Sequence, residues 1–501
     1  MDKEGIFLQR KMPIFYSAIL LTGVNLLLRL AGTSFQVYIS GRIGAAGVGL
    51  LQLVLSIGGM SMTAGMAGIR TATMYLTAEE LGKNKPGNVH WILKGCGIYS
   101  ILCSGAVGLA VYLAAPTLAA GWIGDGRTVD ALRLIALFLP ITCLCGVMTG
   151  YFTAANRIGT LAAVEVAEQL CSMAFTLGAL TLWAGHDPGR SCTAVVLGSC
   201  AGACLTFFCL LILRLRENVN AANRTAVGRR LMDTAIPLAL ADDMKAGINT
   251  AENLMVPKRL ALYPGADDPL ALFGTVSGMV FPILMFPAAI LFGLAELLIP
   301  ELARCAAAGS RGRISYLVQR SLKVAMLYGL FFCGLLFLLA EDLCVALYDN
   351  PEAGRYLRLY ALLAPMLYCD AITDAMTKGL GQQKVCVRYN ILTSTLDVII
   401  LYLLLPKYGM FGYFLSFFVT HLINFLLSLR RLLHISGETF PFHIPAFSAA
   451  SALAAIWASS HLSQPTLQVM VYPVLLGCLL FLLGIIRRED VQWIKGLLCK
   501  K

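Results

Sequence analysis

Apolar stretches long enough to cross a lipid bilayer recur along almost the whole chain, from residue 14 to residue 486. A helix needs about 20 apolar residues to cross the hydrocarbon core. Only 13% of the 501 residues are charged, whereas soluble domains carry about 25%. We therefore predict an all-α polytopic membrane protein with no room for a sizeable soluble domain.

The apolar pattern predicts about fourteen transmembrane helices. Basic residues cluster in every second intervening segment, most densely within 214–230, 300–320 and 487–501, whereas the alternate loops carry mostly isolated Arg and Lys residues. Since cytoplasmic loops carry an excess of Lys and Arg, we expect a multi-pass protein of the cytoplasmic membrane with both termini in the cytoplasm. The spans are predicted near residues 14–39, 48–72, 92–115, 131–154, 160–183, 192–213, 231–257, 270–299, 321–340, 356–377, 388–405, 409–429, 443–460 and 468–486.

Two short segments resemble each other in the two halves of the chain. Residues 151–159 follow the fourth span and residues 376–384 follow the tenth, and each forms a short basic turn before a span with a polar stripe. Transporters commonly bind substrate between such repeats. We expect two pseudo-symmetric six-helix lobes plus two C-terminal helices: an N-terminal lobe at 1–216, a basic cytoplasmic linker at 217–230, a C-terminal lobe at 231–432, and the last two helices with a basic tail at 433–501.

Five predicted spans carry polar residues along one helical face. Charged residues inside a membrane usually face a protein interior or a water-filled path. The planar fork of arginine binds phosphate oxygens in pairs, and carboxylates suit a cation or proton that reloads a carrier. The predicted cavity residues are Asn25, Arg29, Gln52, Arg70, Lys245 and Asn249, and the candidates for coupling to H⁺ or Na⁺ are Asp242, Glu252, Asp370, Asp374 and Asp397.

A purely structural role is an alternative for several of these residues. Asp242 or the neighbouring Asp243 could form an ion pair with Lys245 on the same helix. Arg70 could extend its side chain to the cytoplasmic interface. Asp370 and Asp374 lie one turn apart, where they could perturb each other's protonation or serve in salt pairs.

No pattern in the chain is typical of an enzyme or of a nucleic-acid-binding protein. The six histidines are scattered, no Walker A run occurs, and the sixteen cysteines form no C-x-x-C pair. Most cysteines lie within apolar runs, where the thiol behaves as a small apolar group. The basic residues lie between apolar segments, not along an aromatic-studded face. We expect no catalytic activity, no metal, no cofactor and no nucleic-acid partner.

Several short motifs resemble those of a transporter superfamily. They lie at 29–32 (Arg-Leu-Ala-Gly), 41–52 (Gly-Arg-Ile-Gly-Ala-Ala-Gly-Val-Gly-Leu-Leu-Gln), 68–69, 78–79 and 151–159. On these motifs and on the number and order of its spans, the chain resembles the multidrug/oligosaccharidyl-lipid/polysaccharide (MOP, MATE-like) flippase superfamily. Within it, the chain is most similar to the stage V sporulation protein B-like branch of polysaccharide biosynthesis proteins, which is related to the lipid II flippases.

The resemblance implies two six-helix lobes around a central cavity and alternating access. It also implies export of an undecaprenyl-pyrophosphate-linked sugar, either lipid II or a polysaccharide precursor, with the lipid-linked oligosaccharide and membrane lipid as partners. Such proteins place a first-span arginine in the cavity, and Arg29 matches it. A role in sporulation would depend on the organism.

Three other functions compete with the flippase. A cation-coupled multidrug antiporter of the same superfamily would prefer an acidic cavity and usually has twelve spans. A membrane-embedded transferase needs a catalytic acid or histidine cluster, and the chain has no Asp-x-Asp pair and no His-x4-Asp motif. A non-transporting partner of wall-synthesis enzymes would not explain polar stripes on five helices.

Overall fold

The computed structural model describes residues 14–82, 86–185, 187–216, 228–438, 443–462 and 464–486. These ranges are helical and contain no strand. They include eight helical stretches long and apolar enough to cross a membrane, or nine if a pair bent by 62° within 269–306 forms one span. The all-α membrane fold is confirmed, and the total of fourteen spans stays a prediction. The two terminal segments and most of the predicted basic linker lie outside the described residues.

The sixteen α-helices of the described ranges follow the order of the predicted spans. They are α1 (Ile14–Met66), α2 (Ile69–Gly82), α3 (Pro86–Thr117), α4 (Val129–Ala154), α5 (Ile158–Ala179), α6 (Pro188–Leu215), α7 (Gly228–Leu260), α8 (Pro269–Gly274), α9 (Phe281–Met285), α10 (Ala288–Ala307), α11 (Arg311–Tyr348), α12 (Pro351–Ala361), α13 (Ala364–Gly379), α14 (Gln383–Ser436), α15 (His443–Ser460) and α16 (Pro465–Leu482). Short π-helical segments follow α3, α5 and α8, at Leu118–Ile123, Leu180–Ala184 and Thr275–Val280.

Two of the predicted connections between spans are single-glycine kinks. α1 is interrupted at Gly44 (φ 72°, ψ 171°) and α14 at Gly409 (φ 57°, ψ −138°). Both conformations are open to glycine and strained for residues with a Cβ atom. Each long helix is therefore two helices joined end to end, which correspond to predicted spans one and two and predicted spans eleven and twelve.

The first compact unit contains the described residues up to Gly274 together with Leu401–Gly409. Here α3, α4, α5 and α6 pack against one another, and α7 packs against α1 and α2. A buried apolar cluster joins α2, α3 and α4 to the first turns of α7, where Leu231 and Ala235 are buried. At Gly150 of α4, an added Cβ atom would lie 2.5 Å from the carbonyl oxygen of Arg70. This glycine therefore lets α2 approach α4 closely, as small residues commonly do in membrane helix pairs.

The second unit contains residues 275–400 and the described residues from Met410 onward. α11 is its most connected helix, since it packs against α10, α12, α13, α15 and α16. The hydroxyl of Tyr472 on α16 donates to the carbonyl of Leu330 on α11 at 2.7 Å. The ring of Tyr472 also occupies the space beside Gly334 that a Cβ atom would need. Tyr472 therefore fixes the last helix on this unit.

The contact-based units group α7 differently from the predicted lobes. The predicted C-terminal lobe begins at residue 231, whereas α7 packs within the first unit. A repeat boundary and a contact boundary are different properties of a chain. The six-helix repeats therefore stay a prediction.

Candidate functional site

A cavity of about 470 Å³ lies in the first unit between the end of α1, the start of α2 and the middle of α7. Its walls are both apolar and polar, with Met62, Met66 and Gly59 among the non-polar residues. The polar lining consists of Thr63, Arg70, Thr71, Asp242, Lys245 and Asn249.

A sharp turn between α1 and α2 places Arg70 at this cavity. Ala67 (φ 43°) and Gly68 (φ 71°) both adopt left-handed backbone conformations. Such a conformation is uncommon for a residue with a Cβ atom and often marks a functional turn. The Ala67 N–H donates to the Thr63 carbonyl at 3.0 Å, and α2 begins directly afterwards at Ile69. Arg70 therefore lies in the first turn of α2.

Helical spacing brings three residues of α7 to the same cavity. Asp242, Lys245 and Asn249 are separated by three and four positions, which places them on one face of a helix. One turn further along, Thr250 Oγ1 donates to the Ser56 carbonyl at 3.1 Å and Asn253 Nδ2 donates to Ser56 Oγ at 2.9 Å. These two hydrogen bonds fix α7 against α1 and thereby set the position of Lys245.

The cavity carries two cations and one carboxylate, and none of the three is neutralised by a close partner. Within the described part of the chain, Arg70, Lys245 and Asp242 have no ion pair within 4.0 Å. The predicted alternative, in which Asp242 or Asp243 pairs with Lys245, is therefore not formed here. Glu165 on α5 is close enough to interact electrostatically with Arg70. The lining retains a net positive charge.

Three other predicted cavity residues lie elsewhere. Arg29 is on the first half of α1, thirty residues before Gly59 and on the other side of the Gly44 kink, and its side chain is exposed. Gln52 lies on the second half of α1 but does not line the cavity. Asn25 belongs to α1, and its side chain lies outside the described residues.

Two of the candidate coupling residues, Asp370 and Asp397, lie in a polar cluster of the second unit. Asp370 on α13 accepts two hydrogen bonds from Asn424 Nδ2 at 3.1 and 3.2 Å. Asp397, only 6% exposed, accepts from Ser416 Oγ at 2.5 Å and from Thr420 Oγ1 at 3.1 Å. These bonds connect α13 with both halves of α14.

Asp374 and Glu252 have different surroundings. Asp374 forms an ion pair with Lys378 at 2.6 Å one turn further along α13, so the salt-paired alternative describes it. Glu252 is half-buried on α7 and does not line the cavity. No group of three or more His, Cys, Asp or Glu residues with metal-binding geometry occurs among the described residues.

The sequence reasoning missed the polar face on the second half of α14. Ser416, Thr420 and Asn424 are spaced by four residues, and all three are buried. The same helical periodicity that drew attention to Asp397 would have found them. Unlike the five predicted polar stripes, this face contains no charged residue.

Comparisons with known proteins identify the family. The family model MatE matches residues 21–178 and 267–403, more than half of the chain. Stage V sporulation protein B of Bacillus subtilis (strain 168) is 20% identical over 418 residues, which are 80% of this chain and 80% of that protein.

Solved transporter structures have the same fold. The lipid II flippase MurJ in an inward closed conformation aligns with a TM-score of 0.69 and 14% identity, over 94% of this chain and all of that one. An inward-facing multidrug resistance transporter of the MATE family, in the MOP superfamily, aligns with a TM-score of 0.66 and 13% identity. That alignment covers 84% of this chain and all of the transporter.

Proposed function

Because this chain belongs to the MatE family and is a MOP-superfamily transporter, not an enzyme, we propose that it flips an undecaprenyl-pyrophosphate-linked sugar across the cytoplasmic membrane. The substrate is lipid II or a polysaccharide precursor, moved by alternating access in a protein with both termini in the cytoplasm. Lipid-linked flipping is supported by the similarity to stage V sporulation protein B and to the lipid II flippase.

The observation that carries the proposal is the pair of cations in the cavity of the first unit. Arg70 and Lys245 both line it, and within the described ranges neither has an ion pair within 4.0 Å. Both side chains are exposed, so a ligand can reach them and pair with their charges. A pyrophosphate would supply that pairing, because arginine binds phosphate oxygens in a planar, bidentate manner and lysine binds them as a point charge.

Arg29 and Gln52 remain proposed contacts of the same substrate. The proposal for Arg29 rests on its match to the first-span arginine of the family, and that for Gln52 on helical spacing. Both lie on α1, so the long lipid-linked substrate could meet them at a different stage of transport from Arg70 and Lys245. Asn25 belongs to the same proposed stripe.

The acidic residues are proposed to couple transport to H⁺ or Na⁺. Asp370 and Asp397 are the strongest candidates, since Asp370 accepts from the amide of Asn424 and Asp397 accepts from two hydroxyl groups. A carboxylate with neutral partners can exchange its proton or accept a sodium ion without first breaking a salt bridge. Asp242, Glu252 and Asp374 are weaker candidates for the same role.

A cation-coupled multidrug antiporter is the second candidate, and the same acidic cluster favours it. Asp370 and Asp397 would attract a cationic drug as well as a small cation. The positively charged cavity of the first unit argues for the flippase, because it would repel such a drug.

The cellular test is the distribution of lipid-linked wall precursor across the membrane after depletion of this protein. We expect the precursor to accumulate on the cytoplasmic face, with rescue by the wild type and by Lys94→Gln, which changes an exposed lysine of the same unit outside the cavity. Lys245→Gln should not rescue. An unchanged precursor distribution together with increased sensitivity to cationic dyes would support the antiporter instead.

A further inference from the structure

A second cavity, of about 370 Å³, lies at the C-terminal end of α7. Two cations of the last helical turn, Lys258 and Arg259, form one part of its wall. Ala251, Leu254 and Met255 of the preceding turns form an apolar part, and Trp122 contributes from the π-helical segment after α3. The wall therefore changes from apolar to cationic within two turns of one helix.

Neutral groups hold both cations in place. Lys258 Nζ donates to the Gly121 carbonyl at 2.5 Å. Arg259 Nε and Nη2 donate to the Tyr402 carbonyl at 3.1 and 2.8 Å, and its guanidinium carbon lies 3.7 Å from the centre of the Tyr402 ring. That carbonyl is available because Pro406, four residues later in α14, has no N–H to donate.

These contacts fix the two side chains without cancelling their charge. In the part of the chain that the structure describes, no carboxylate forms an ion pair with Lys258 or Arg259. A lysine ammonium has three N–H donors and an arginine guanidinium has five, so both retain donors beyond those already used. The site is therefore a fixed pair of cations with free hydrogen-bonding capacity beside an apolar wall.

We propose that this cavity binds the phosphate headgroup of an anionic membrane lipid. The phosphate lies between Lys258 and Arg259, and one lipid chain runs along Leu254, Met255 and Ala251. From Ala251 to Lys258 the helix advances about 10 Å, enough for a headgroup and the first part of a chain. Trp122 suits the boundary between headgroup and chain, where tryptophan is enriched. A zwitterionic lipid would bind less well, because its own cation would meet the two basic side chains.

This site is separate from the proposed substrate cavity. Lys258 follows Lys245 by thirteen residues, about 20 Å along the helix axis. Lipid binding at Lys258 can therefore be measured without any transport, and its outcome does not depend on the proposed flippase activity.

Trp122 allows the proposal to be tested directly. The probe is a full-length variant that retains Trp122 and has the other four tryptophans replaced by phenylalanine. It is placed in nanodiscs that contain lipids with brominated chains. Bromine quenches the fluorescence of a nearby tryptophan, so quenching reports a lipid bound beside Trp122. We expect brominated phosphatidylglycerol to quench Trp122 at several-fold lower mole fraction than brominated phosphatidylcholine. Lys258→Gln should reduce this preference about fivefold, whereas Lys407→Gln, an exposed lysine of the same unit outside the cavity, should leave it unchanged.

Three outcomes would overturn the proposal. They are equal quenching by the two lipids, an unchanged preference in Lys258→Gln, or release of the quenching by millimolar inorganic phosphate, which would indicate a free-anion site. If the single-tryptophan variant does not fold, native mass spectrometry of the wild-type chain replaces it. Retained phosphatidylglycerol adducts must then decrease in Lys258→Gln and not in Lys407→Gln.

Discussion

At the scale of single residues, the cations and carboxylates of the two units have different partners. Lys245 lines a cavity without an ion pair, among the residues that the structure describes, whereas Asp397 is surrounded by two hydroxyl donors. A charged side chain without an ion pair is typical of a ligand-binding site. A charged side chain whose hydrogen bonds are made within the protein often contributes to stability as well. Substitutions should separate these roles.

Lys245→Gln should abolish transport without destabilising the protein. The substitution removes the proposed phosphate contact together with a charge that forms no ion pair with any of the residues that the structure describes. We expect at least a tenfold loss of flipping and a thermal midpoint in detergent no lower than that of the wild type. A large drop in the midpoint would indicate that Lys245 has a structural partner, and the proposed role would then be wrong.

Arg29→Ala should also stop transport while leaving membrane insertion intact. The prediction rests on the match of Arg29 to the first-span arginine of the family. Transport and the amount of protein in the membrane fraction are the two measurements. Normal export by this variant would exclude Arg29 from the substrate path.

Asp397→Asn should uncouple transport from the ion gradient with only a moderate loss of stability, since an amide oxygen can still accept from Ser416 and Thr420. Asp397→Leu removes the carboxylate oxygen that accepts from both hydroxyls, which then keep only their bonds to the backbone carbonyls of Asp397 and Ser416, so we expect a larger loss of stability than with Asp397→Asn. Asp342→Asn is the control, because Asp342 is an exposed carboxylate of the same unit and is not among the proposed coupling residues. A wild-type dependence on the ion gradient in Asp397→Asn and Asp397→Leu would exclude Asp397 as the coupling site.

At the scale of helices, α7 is held at both ends. Its last turn is fixed through Arg259 and the Tyr402 carbonyl. Near its start, Arg230 forms ion pairs with Glu79 at 2.7 Å and with Glu80 at 2.9 Å. Glu80 is only 4% exposed and also accepts from Asn88 Nδ2 at 2.9 Å. The cavity residues of α7 therefore lie between two fixed ends.

Arg230→Gln should lower stability more than Glu79→Gln does. Loss of the arginine removes one partner of the buried Glu80, which keeps its bond from Asn88, whereas the side chain of Glu79 is 32% exposed and can be solvated. A buried group that loses its partner costs about 1–3 kcal/mol. Denaturation of the two variants in the same detergent gives the comparison. Equal effects would show that Glu80 does not depend on Arg230.

The glycine kinks of α1 and α14 lead to a second prediction about helices. Gly409→Ala should destabilise the protein through backbone strain, about 1–3 kcal/mol, and through contact of the new Cβ atom with the Tyr263 ring, 2.8 Å away. Gly437→Ala is the control. Gly437 (φ 72°, ψ 21°) has a left-handed conformation that other residues can adopt, and an added Cβ atom would meet no other atom within 4 Å. Equal thermal midpoints for the two variants would contradict the assigned strain.

At the scale of the whole molecule, the apolar pattern predicted much of the fold, since the predicted spans lie within the helical ranges that the structure describes. Spacing alone also predicted that Asp242, Lys245 and Asn249 share a face. It could not predict that Arg29 lies away from that cavity, because the Gly44 kink interrupts α1 and breaks the helical phase between its halves. Gln52 lies on the same half of α1 as the cavity residues, but the cavity begins about two turns further along the helix, at Gly59. The packing of α7 within the first unit depends on long-range contacts that no local pattern contains.

The central claim is that this transporter moves a pyrophosphate-linked lipid through a cationic cavity. Reconstitution into liposomes with a fluorescent undecaprenyl-pyrophosphate sugar tests it most directly, because an impermeant reductant destroys the fluorescence of the outer leaflet only. We predict rapid and nearly complete loss of fluorescence with the wild type and with Lys94→Gln. In the double variant Arg70→Gln, Lys245→Gln, the loss of fluorescence should stop at about one half. That is the share of the labelled lipid that a symmetric bilayer holds in its outer leaflet. Wild-type flipping by the double variant, or no flipping by the wild type under any ion gradient, would contradict the account.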